Sequence, residues 1–320
     1  MDNEELIKKI DALKDKPKEE REEFSPEKVR EKLKSARHKA DIPLTILAVL
    51  VTLGALALVS WVAVTARDNE SALNTLVEVT GMGKDLVQAI LRYGGDIAIA
   101  VILYLIAKIT AANITFLGKM LSNEMRLTDS RFAYIKDFYR TRAEACGLKK
   151  IPELFITGSS YETEVMKVKV RSNKAITIDK KMLLKAEQTG DWQDVEYDVC
   201  KRLARIYLGY YDLANQVFTF TAKLIPGLKE LLNRCRVYST DRVVMALMGE
   251  EAAVESVFLQ CYDSELYKDL DREAIVRRKL ENHTRAEDLS KWLENAVSET
   301  PVSPYRLIAM LDTKTDGRLF

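Results

Sequence analysis

The chain has 320 residues, enough for one large domain or two modest ones with a full apolar core. Its 49 lysines and arginines nearly balance its 48 aspartates and glutamates, so no overall field favours a nucleic-acid partner. The four cysteines are far apart and form no CxxC pair, which favours reduced thiols in a cytoplasmic compartment over a disulfide framework.

Residues 1–41 form a charged N-terminal arm, dense in lysine and glutamate. Ser25-Pro26-Glu27 predicts a helix start, because proline is favoured at the first helical position. The residues before it could be a solvated helix or a disordered tail. The basic residues from Lys28 to Lys39 either contact anionic headgroups or, as we prefer, simply flank a membrane segment.

Residues 42–66 are predicted to be a transmembrane helix. The run from Pro43 to Ala66 carries no charge, and as a helix it would be ~36 Å long, enough to cross a ~30 Å hydrocarbon core with some tilt. Trp61 suits an anchor at the membrane interface. A buried helix of a soluble domain is the alternative, although helices this long are rarely apolar on every face there.

Residues 97–118 are a weaker candidate for a second transmembrane helix. Lys108 lies in the middle of this segment, where a lysine costs roughly 2.5–3.5 kcal/mol on insertion scales. Either Lys108 faces a partner or water, or the embedded part is shorter than the apolar run.

Basic residues precede the first span and follow the second, so both termini and the C-terminal domain are predicted to be cytoplasmic. We expect an integral protein of the bacterial cytoplasmic (inner) membrane. Residues 67–96 would form an external loop with two short amphipathic helices around Gly81 and Gly83.

Residues 128–312 have the pattern of a mostly helical α+β domain, followed by a tail at 313–320. Helices are predicted at 129–146, 233–247, 250–260 and 273–297, the first ending at Gly147 and the second at Gly249. A strand is predicted at 151–157. The alternating residues 165–170 and the return strand 175–178 predict a hairpin, beyond which the chain turns helical after Asp179.

The stretch from Tyr197 to Asp212, YDVCKRLARIYLGYYD, predicts the central helix of the domain. Helical spacing puts one apolar face of it in the core, while Lys201 and Arg205, four residues apart, share another face. The buried face consists of Val195, Val199, Leu203, Ile206 and Tyr210. The helix resembles that of a zinc peptidase without the HExxH motif, and the only two histidines, His38 and His283, are remote from it in the sequence.

The order of parts resembles the HtpX-like membrane zinc metalloproteases, the clan that includes the CAAX-prenyl endopeptidases. Four local matches carry this resemblance: the helix, glycine, proline and strand from Ala145 to Ile156; AITIDKKMLL from Ala175 to Leu184; RVYSTDRVVMALMG from Arg236 to Gly249; and TPVSPYRLIAML from Thr300 to Leu311. The resemblance implies a transmembrane helical hairpin that is followed in the chain by a zincin-like domain.

The resemblance places Lys201 at the first zinc-binding histidine, Arg202 at the glutamate base and Arg205 at the second histidine. Val237 stands at the third ligand, while Asp241 keeps an acidic position that supports the ligands in the family. Lysine and arginine are cations that offer no lone pair to zinc, so the sequence predicts neither metal nor catalysis. No cofactor is expected.

Two further expectations concern this cleft. We predict that Asp241 forms a salt bridge with Lys201 or Arg205, because an unpaired buried cation costs several kcal/mol; alternatively, the cations point to solvent. Cys200 and Cys235 lie beside the lost ligands, but two thiols without a nearby histidine make a poor zinc site, and structural burial is the preferred interpretation.

The resulting prediction is a membrane-anchored pseudoprotease, a binding, scaffold or regulatory subunit for other membrane proteins and a possible homo- or hetero-oligomer. The family's edge strand pairs with extended substrate, so a retained peptide-binding edge is expected here or, alternatively, a plain edge strand protected by lysines. Its residues would be Val165, Lys167, Val168, Lys169 and Val170. The competing predictions are a structural subunit of a membrane assembly and an active metallopeptidase with unconventional residues.

Overall fold

The computed structural model describes residues 24–67, 69–89, 125–127, 131–148, 150–157, 175–219, 227–261 and 303–311, with Ala222, Ile225 and isolated residues between 92 and 114. In chain order these residues form α1 (Pro26–Ser35), α2 (Asp41–Arg67), α3 (Glu70–Thr80), β1 (Met125–Arg126), α4 (Ala133–Ala145), β2 (Glu153–Thr157), β3 (Ala175–Asp179), α5 (Lys180–Thr189), α6 (Gln193–Tyr207), α7 (Leu213–Phe218), α8 (Leu228–Met248), α9 (Glu250–Cys261) and α10 (Ser303–Leu311). The predicted α+β class, mostly helical with a small sheet, is confirmed.

Helix α2 coincides with the predicted first membrane span. Its segment Asp41–Leu58 has a mean hydropathy of 2.2 and is mostly unburied, and among the described residues it is the one helix long and apolar enough to cross a membrane. The second predicted span, 97–118, lies largely outside those residues. Within the predicted loop 67–96, α3 and a helical segment at 84–89 match the two short helices expected there.

The sheet is small and mixed. Strand β2 pairs antiparallel with β1 and parallel with β3, with Phe155 opposite Thr177. The strand predicted at 151–157 and the return strand predicted at 175–178 are therefore present, as β2 and β3. The first strand of that hairpin, including the expected peptide-binding edge at 165–170, lies outside the described residues.

Helix α6 lies at the centre of the core, between α4, α8, α9 and the sheet. Its predicted buried face is confirmed, since Val199 and Leu203 are fully buried and Tyr210, just beyond its end, is 8% exposed. Helix α8 packs along α6 and carries α9 and α10 on its other sides. It begins at Leu228 rather than at the predicted Asn233, because the carboxylate of Glu230 accepts the Gly227 N–H at 2.6 Å and caps an earlier start.

Helix α1 is part of the domain core, whereas the sequence suggested a mere flank of the membrane segment. Val29, Leu33 and Ala36 are buried against α4 and α8, while Lys28 and Lys32 stay exposed. Val29 and Leu33 are four residues apart and form a narrow apolar stripe on α1. This stripe is hard to recognise in the sequence because the residues around it are charged. The N-terminal arm therefore contributes side chains to the main core, whereas Ala48 of α2 packs in a separate small cluster with Leu232 of α8.

Candidate functional site

The site positions predicted from the resemblance lie on α6 and α8. Lys201, Arg202 and Arg205 on α6 are half-buried, as is Val237 on α8. Asp241 follows Val237 by one helical turn and is 1% exposed. The structure thus brings the predicted positions onto two adjoining helices, with a cationic face on one and a buried carboxylate on the other.

The carboxylate of Asp241 is held by Arg306 of α10, and this is a correction to the predicted pairing with Lys201 or Arg205. Arg306 Nε donates to one carboxylate oxygen at 2.7 Å and Nη2 to the other at 2.8 Å. Both side chains are nearly buried, at 5% and 1% exposure. A guanidinium matches both oxygens of a carboxylate at once, which the single ammonium of a lysine cannot do.

Tyr197 completes this buried network. Its hydroxyl accepts a hydrogen bond from Arg306 Nη2 at 2.9 Å and lies 3.4 Å from Asp241 Oδ1. Burial, together with the negative charge of Asp241, raises the pKa of the phenol, so Tyr197 stays neutral. Arg242 further fixes α10 by donating to the carbonyl oxygen of Ala309. The cluster therefore joins α6, α8 and α10.

Lys201 occupies an unfavourable electrostatic position. Burial lowers the pKa of its ammonium, and the positive charges of Arg205 and Arg306 lower it further. Asp241 and Asp198 act in the opposite direction without cancelling these effects. The local excess of positive charge would repel a divalent cation.

Arg202 has a structural role at the position where the resemblance places the general base. Its Nε donates to Asp198 at 2.8 Å, one turn back on α6, and its Nη1 donates to Thr177 Oγ1 on β3 at 3.1 Å. The bond to Asp198 orients Arg202 within α6, and the bond to Thr177 connects the central helix to the sheet. Within the part of the chain that the structure describes, no three His, Cys, Asp or Glu side chains are grouped closely enough to hold a metal ion.

A second polar cluster, which we call the junction, joins the start of α2 to α8 and was not foreseen. His38 is 1% exposed; its backbone N–H donates to Ser239 Oγ at 3.0 Å, and its Nδ1 lies 3.7 Å from Cys235 Sγ. Its ring packs against that of Tyr238. The sequence offered little signal for this, because His38 stands among exposed charged residues.

Asp41 is the buried carboxylate of the junction. Its Oδ2 accepts a hydrogen bond from Tyr210 at 2.8 Å and lies 3.1 Å from Arg37 Nε, in an ion pair that lacks hydrogen-bond geometry. Arg37 also donates to the carbonyl oxygen of Leu208. Arg236 stacks over the Tyr210 ring and donates to Asn215 at 2.8 Å.

Three buried polar atoms of the junction have no hydrogen-bond partner among the described residues: Arg37 Nε, Asp41 Oδ1 and Arg236 Nε. Buried polar atoms are normally satisfied, so such a group calls for an explanation. In the Asp241 cluster, by contrast, both carboxylate oxygens are bonded.

Cys146, Cys200 and Cys235 are buried and form no disulfide among the described residues, in line with structural cysteines. The expectation that no histidine lies near them is wrong for Cys235, whose Sγ is 3.7 Å from His38 Nδ1. Burial raises the pKa of Cys146 to about 12 and that of Cys200 well above its ordinary value, so both remain protonated at neutral pH. A protonated thiol is a poor metal ligand and a poor nucleophile.

No family model, curated protein or solved structure matches this chain.

Proposed function

We propose that the chain is a membrane-anchored, catalytically inactive relative of the zincin-type membrane metalloproteases that acts as a binding or regulatory subunit for other membrane proteins. The single observation behind this proposal is the replacement of an entire donor set. Lys201, Arg205 and Val237 stand where electron-pair donors would be needed, on the two helices that would have to present them.

The contacts of these residues support an abandoned site rather than one exchanged ligand. Zinc chemistry needs neutral imidazole, thiolate or carboxylate donors and a base that activates water. Arg202 is engaged with Asp198 and Thr177, and Asp241 is engaged with Arg306. Arg202 and Asp241 thus have structural tasks, which supports a fold that is kept without the chemistry.

The first test is metal content and proteolysis with the purified full-length protein. We expect far less than one zinc per chain by elemental analysis, and no peptide cleavage that a chelator stops. Stoichiometric zinc, or chelator-sensitive cleavage, would overturn the proposal in favour of an active metallopeptidase with unconventional residues.

A second test restores the donors. The variant Lys201→His, Arg202→Glu, Arg205→His and Val237→Glu would place two imidazoles one turn apart and a carboxylate on α8. If α6 and α8 have the zincin arrangement, this variant should bind about one zinc per chain. The matched control carries Arg202→Glu alone and should bind none. A folded four-residue variant that takes up no zinc would show that the resemblance does not extend to the site.

The proposed partners are the lipid bilayer and other membrane proteins. Protein partners are tested by crosslinking in the native membrane, followed by identification of the captured protein. The full chain is required, because α1 belongs to the main core and the start of α2 packs against α8. A structural subunit of an assembly is the competing function. Partners that are captured equally by variants altered in the α6–α8 cleft would favour that function.

A further inference from the structure

Lys201 is a charged side chain to which the structure gives no direct partner. It lies in the middle of α6 and is half-buried. In the described part of the chain its ammonium forms neither a hydrogen bond nor an ion pair. An ammonium has three N–H donors, and removing them from water without an acceptor costs free energy. Such a group calls for an explanation.

The carboxylates near Lys201 are already occupied by arginines. Among the described residues, the negative charges that act on Lys201 are those of Asp198 and Asp241. Asp198 lies three residues earlier on α6, within reach of a lysine, but it accepts a hydrogen bond from Arg202 Nε at 2.8 Å. Asp241 holds Arg306 with both of its oxygens. Lys201 is therefore left over when the acidic groups of this region have been paired.

The local field at Lys201 is positive. Arg205 lies one turn further along α6, and Tyr197 lies one turn earlier, with its hydroxyl bonded to Arg306 Nη2. Burial lowers the pKa of the Lys201 ammonium, and the charges of Arg205 and Arg306 lower it further. The same charges that disfavour an ammonium here would attract an anion to it.

The side chains around Lys201 leave room for an anion that comes from outside the domain. Lys201 keeps part of its surface exposed, and the neighbouring side chains of Asp198 and Arg202 are 21% and 16% exposed. Arg306 and Asp241, in contrast, are enclosed. An incoming group can therefore contact Lys201 from the solvent side while the enclosed ion pair stays intact.

The single unpartnered ammonium favours a carboxylate as the incoming group. A carboxylate carries one negative charge and two acceptor oxygens, which match one ammonium. A phosphate group carries a charge of about −1.5 to −2 and needs more donors than Lys201 supplies. The guanidinium groups of Arg202 and Arg306 are already engaged with carboxylates.

We propose that Lys201 binds the side chain of an aspartate or glutamate in an acidic segment of the partner protein. This inference deepens the proposed function and rests on it, because it assumes a protein partner that contacts the exposed side of α6. In the complex the ammonium gains the counter-charge that it lacks in the isolated chain. A lysine that weakens the fold thereby contributes to affinity and to the choice of partner.

The experiment treats the full-length protein in its native membrane with a water-soluble carbodiimide. This reagent joins a lysine amine to a carboxylate in direct contact: the amide bond forms, and the carbodiimide takes up the released water and becomes a urea. Mass spectrometry then identifies the peptides joined to Lys201. The expected product is an amide between Lys201 and an aspartate or glutamate of another protein.

Two variants of Lys201 separate its charge from its reactivity. Lys201→Arg keeps the positive charge but forms no amide, so the crosslink should disappear while the same partner still copurifies to within about twofold. Lys201→Met should reduce copurification about tenfold, as expected for the loss of a partly buried ion pair. Lys185→Met is the matched control, since Lys185 is exposed on α5, and it should retain the partner like the wild type.

Three results would overturn the proposal. An amide between Lys201 and an acidic residue of its own chain would show that the site is filled internally. Equal copurification with the wild type and Lys201→Met would remove the role of the ammonium. The third is a partner that lysine-to-lysine crosslinking captures while Lys201 forms no amide with it. In the last two cases the proposed binding function survives, whereas the failure of every crosslinker to capture a protein would overturn that function as well.

Discussion

Two aspartates, each about 1% exposed, have contrasting surroundings: Asp241 lies on α8, and Asp41 lies at the start of α2, which packs against α8. Asp241 is enclosed, with both oxygens bonded to a buried arginine and a tyrosine beside them. Asp41 has one unpartnered oxygen and an arginine whose side chain is 36% exposed beside an open groove. The first arrangement is complete and serves stability. The second has unused bonding capacity, so the Asp241 cluster is the closed arrangement and the junction is the open one.

The largest effect is expected for Asp241→Ala, which tests whether the enclosed Asp241 cluster stabilises the fold. The substitution leaves Arg306 buried without its counter-charge and should cost about 3–5 kcal/mol of the free energy of unfolding. Thermal or denaturant unfolding of the full-length protein measures the loss.

The matched control for Asp241→Ala is Glu187→Ala. Glu187 forms an equally short pair with Arg131, at 2.8 Å, but both side chains are substantially exposed. Exposed pairs contribute little, so the melting temperature should barely change. Equal losses in the two variants would contradict the structural role of the Asp241–Arg306 pair.

The junction is probed by Tyr210→Phe. Asp41 would lose its 2.8 Å hydrogen bond from the phenol and keep only the contact with Arg37. Hydrogen bonds to charged groups contribute about 1.5–3 kcal/mol, and a loss of that size is expected in chemical denaturation. Tyr207→Phe is the control, because the Tyr207 hydroxyl lies 3.5 Å from the Leu33 carbonyl oxygen and should matter less. A larger loss in the control would mean that Asp41 does not depend on Tyr210.

The smallest expected effect is a gain in stability. Lys201→Met removes a half-buried cation that Arg205 and Arg306 repel and should stabilise the fold by about 0.5–1 kcal/mol near neutral pH. The exposed Lys185 provides the control Lys185→Met, which should be neutral. A destabilised Lys201→Met would show that Lys201 makes a favourable contact.

The pH dependence of this gain has a definite sign. The folded chain releases the Lys201 proton at a lower pH than the unfolded chain, whose lysine has the ordinary pKa of 10.5. Between the two pKa values the unfolded chain binds more protons, so the stability of the wild type rises with pH. The advantage of Lys201→Met should therefore shrink as the pH approaches 10.5 in unfolding measurements.

The predictable parts of the fold were those with local signals. The buried face of α6 follows from its helical spacing, and α4 and α8 end beside Gly147 and Gly249, which both have positive φ angles. The resemblance also places Lys201, Arg205 and Asp241 near one another, and the charges of Arg205 and Asp241 do act on Lys201, but the predicted partner of Asp241 was wrong.

The missed contacts depend on packing between distant segments. Arg306 reaches Asp241 from 65 residues further along the chain, and no periodicity reveals which of several cations will face a carboxylate. His38 reaches Ser239 from 201 residues away, out of a segment whose composition looks solvated. Local sequence patterns predict which face of a helix is buried, but they do not predict which other helix packs against that face.

The packing of α2 limits how the domain can stand relative to a bilayer. Ala48 and Thr52 are buried against the protein, so the stretch that can lie wholly clear of it is at most Leu53 to Arg67, about 22 Å at 1.5 Å per residue. This is shorter than a ~30 Å hydrocarbon layer. If α2 crosses the membrane, either the base of the domain near the exposed Ile225 sinks among the headgroups or the surrounding lipids thin to meet it.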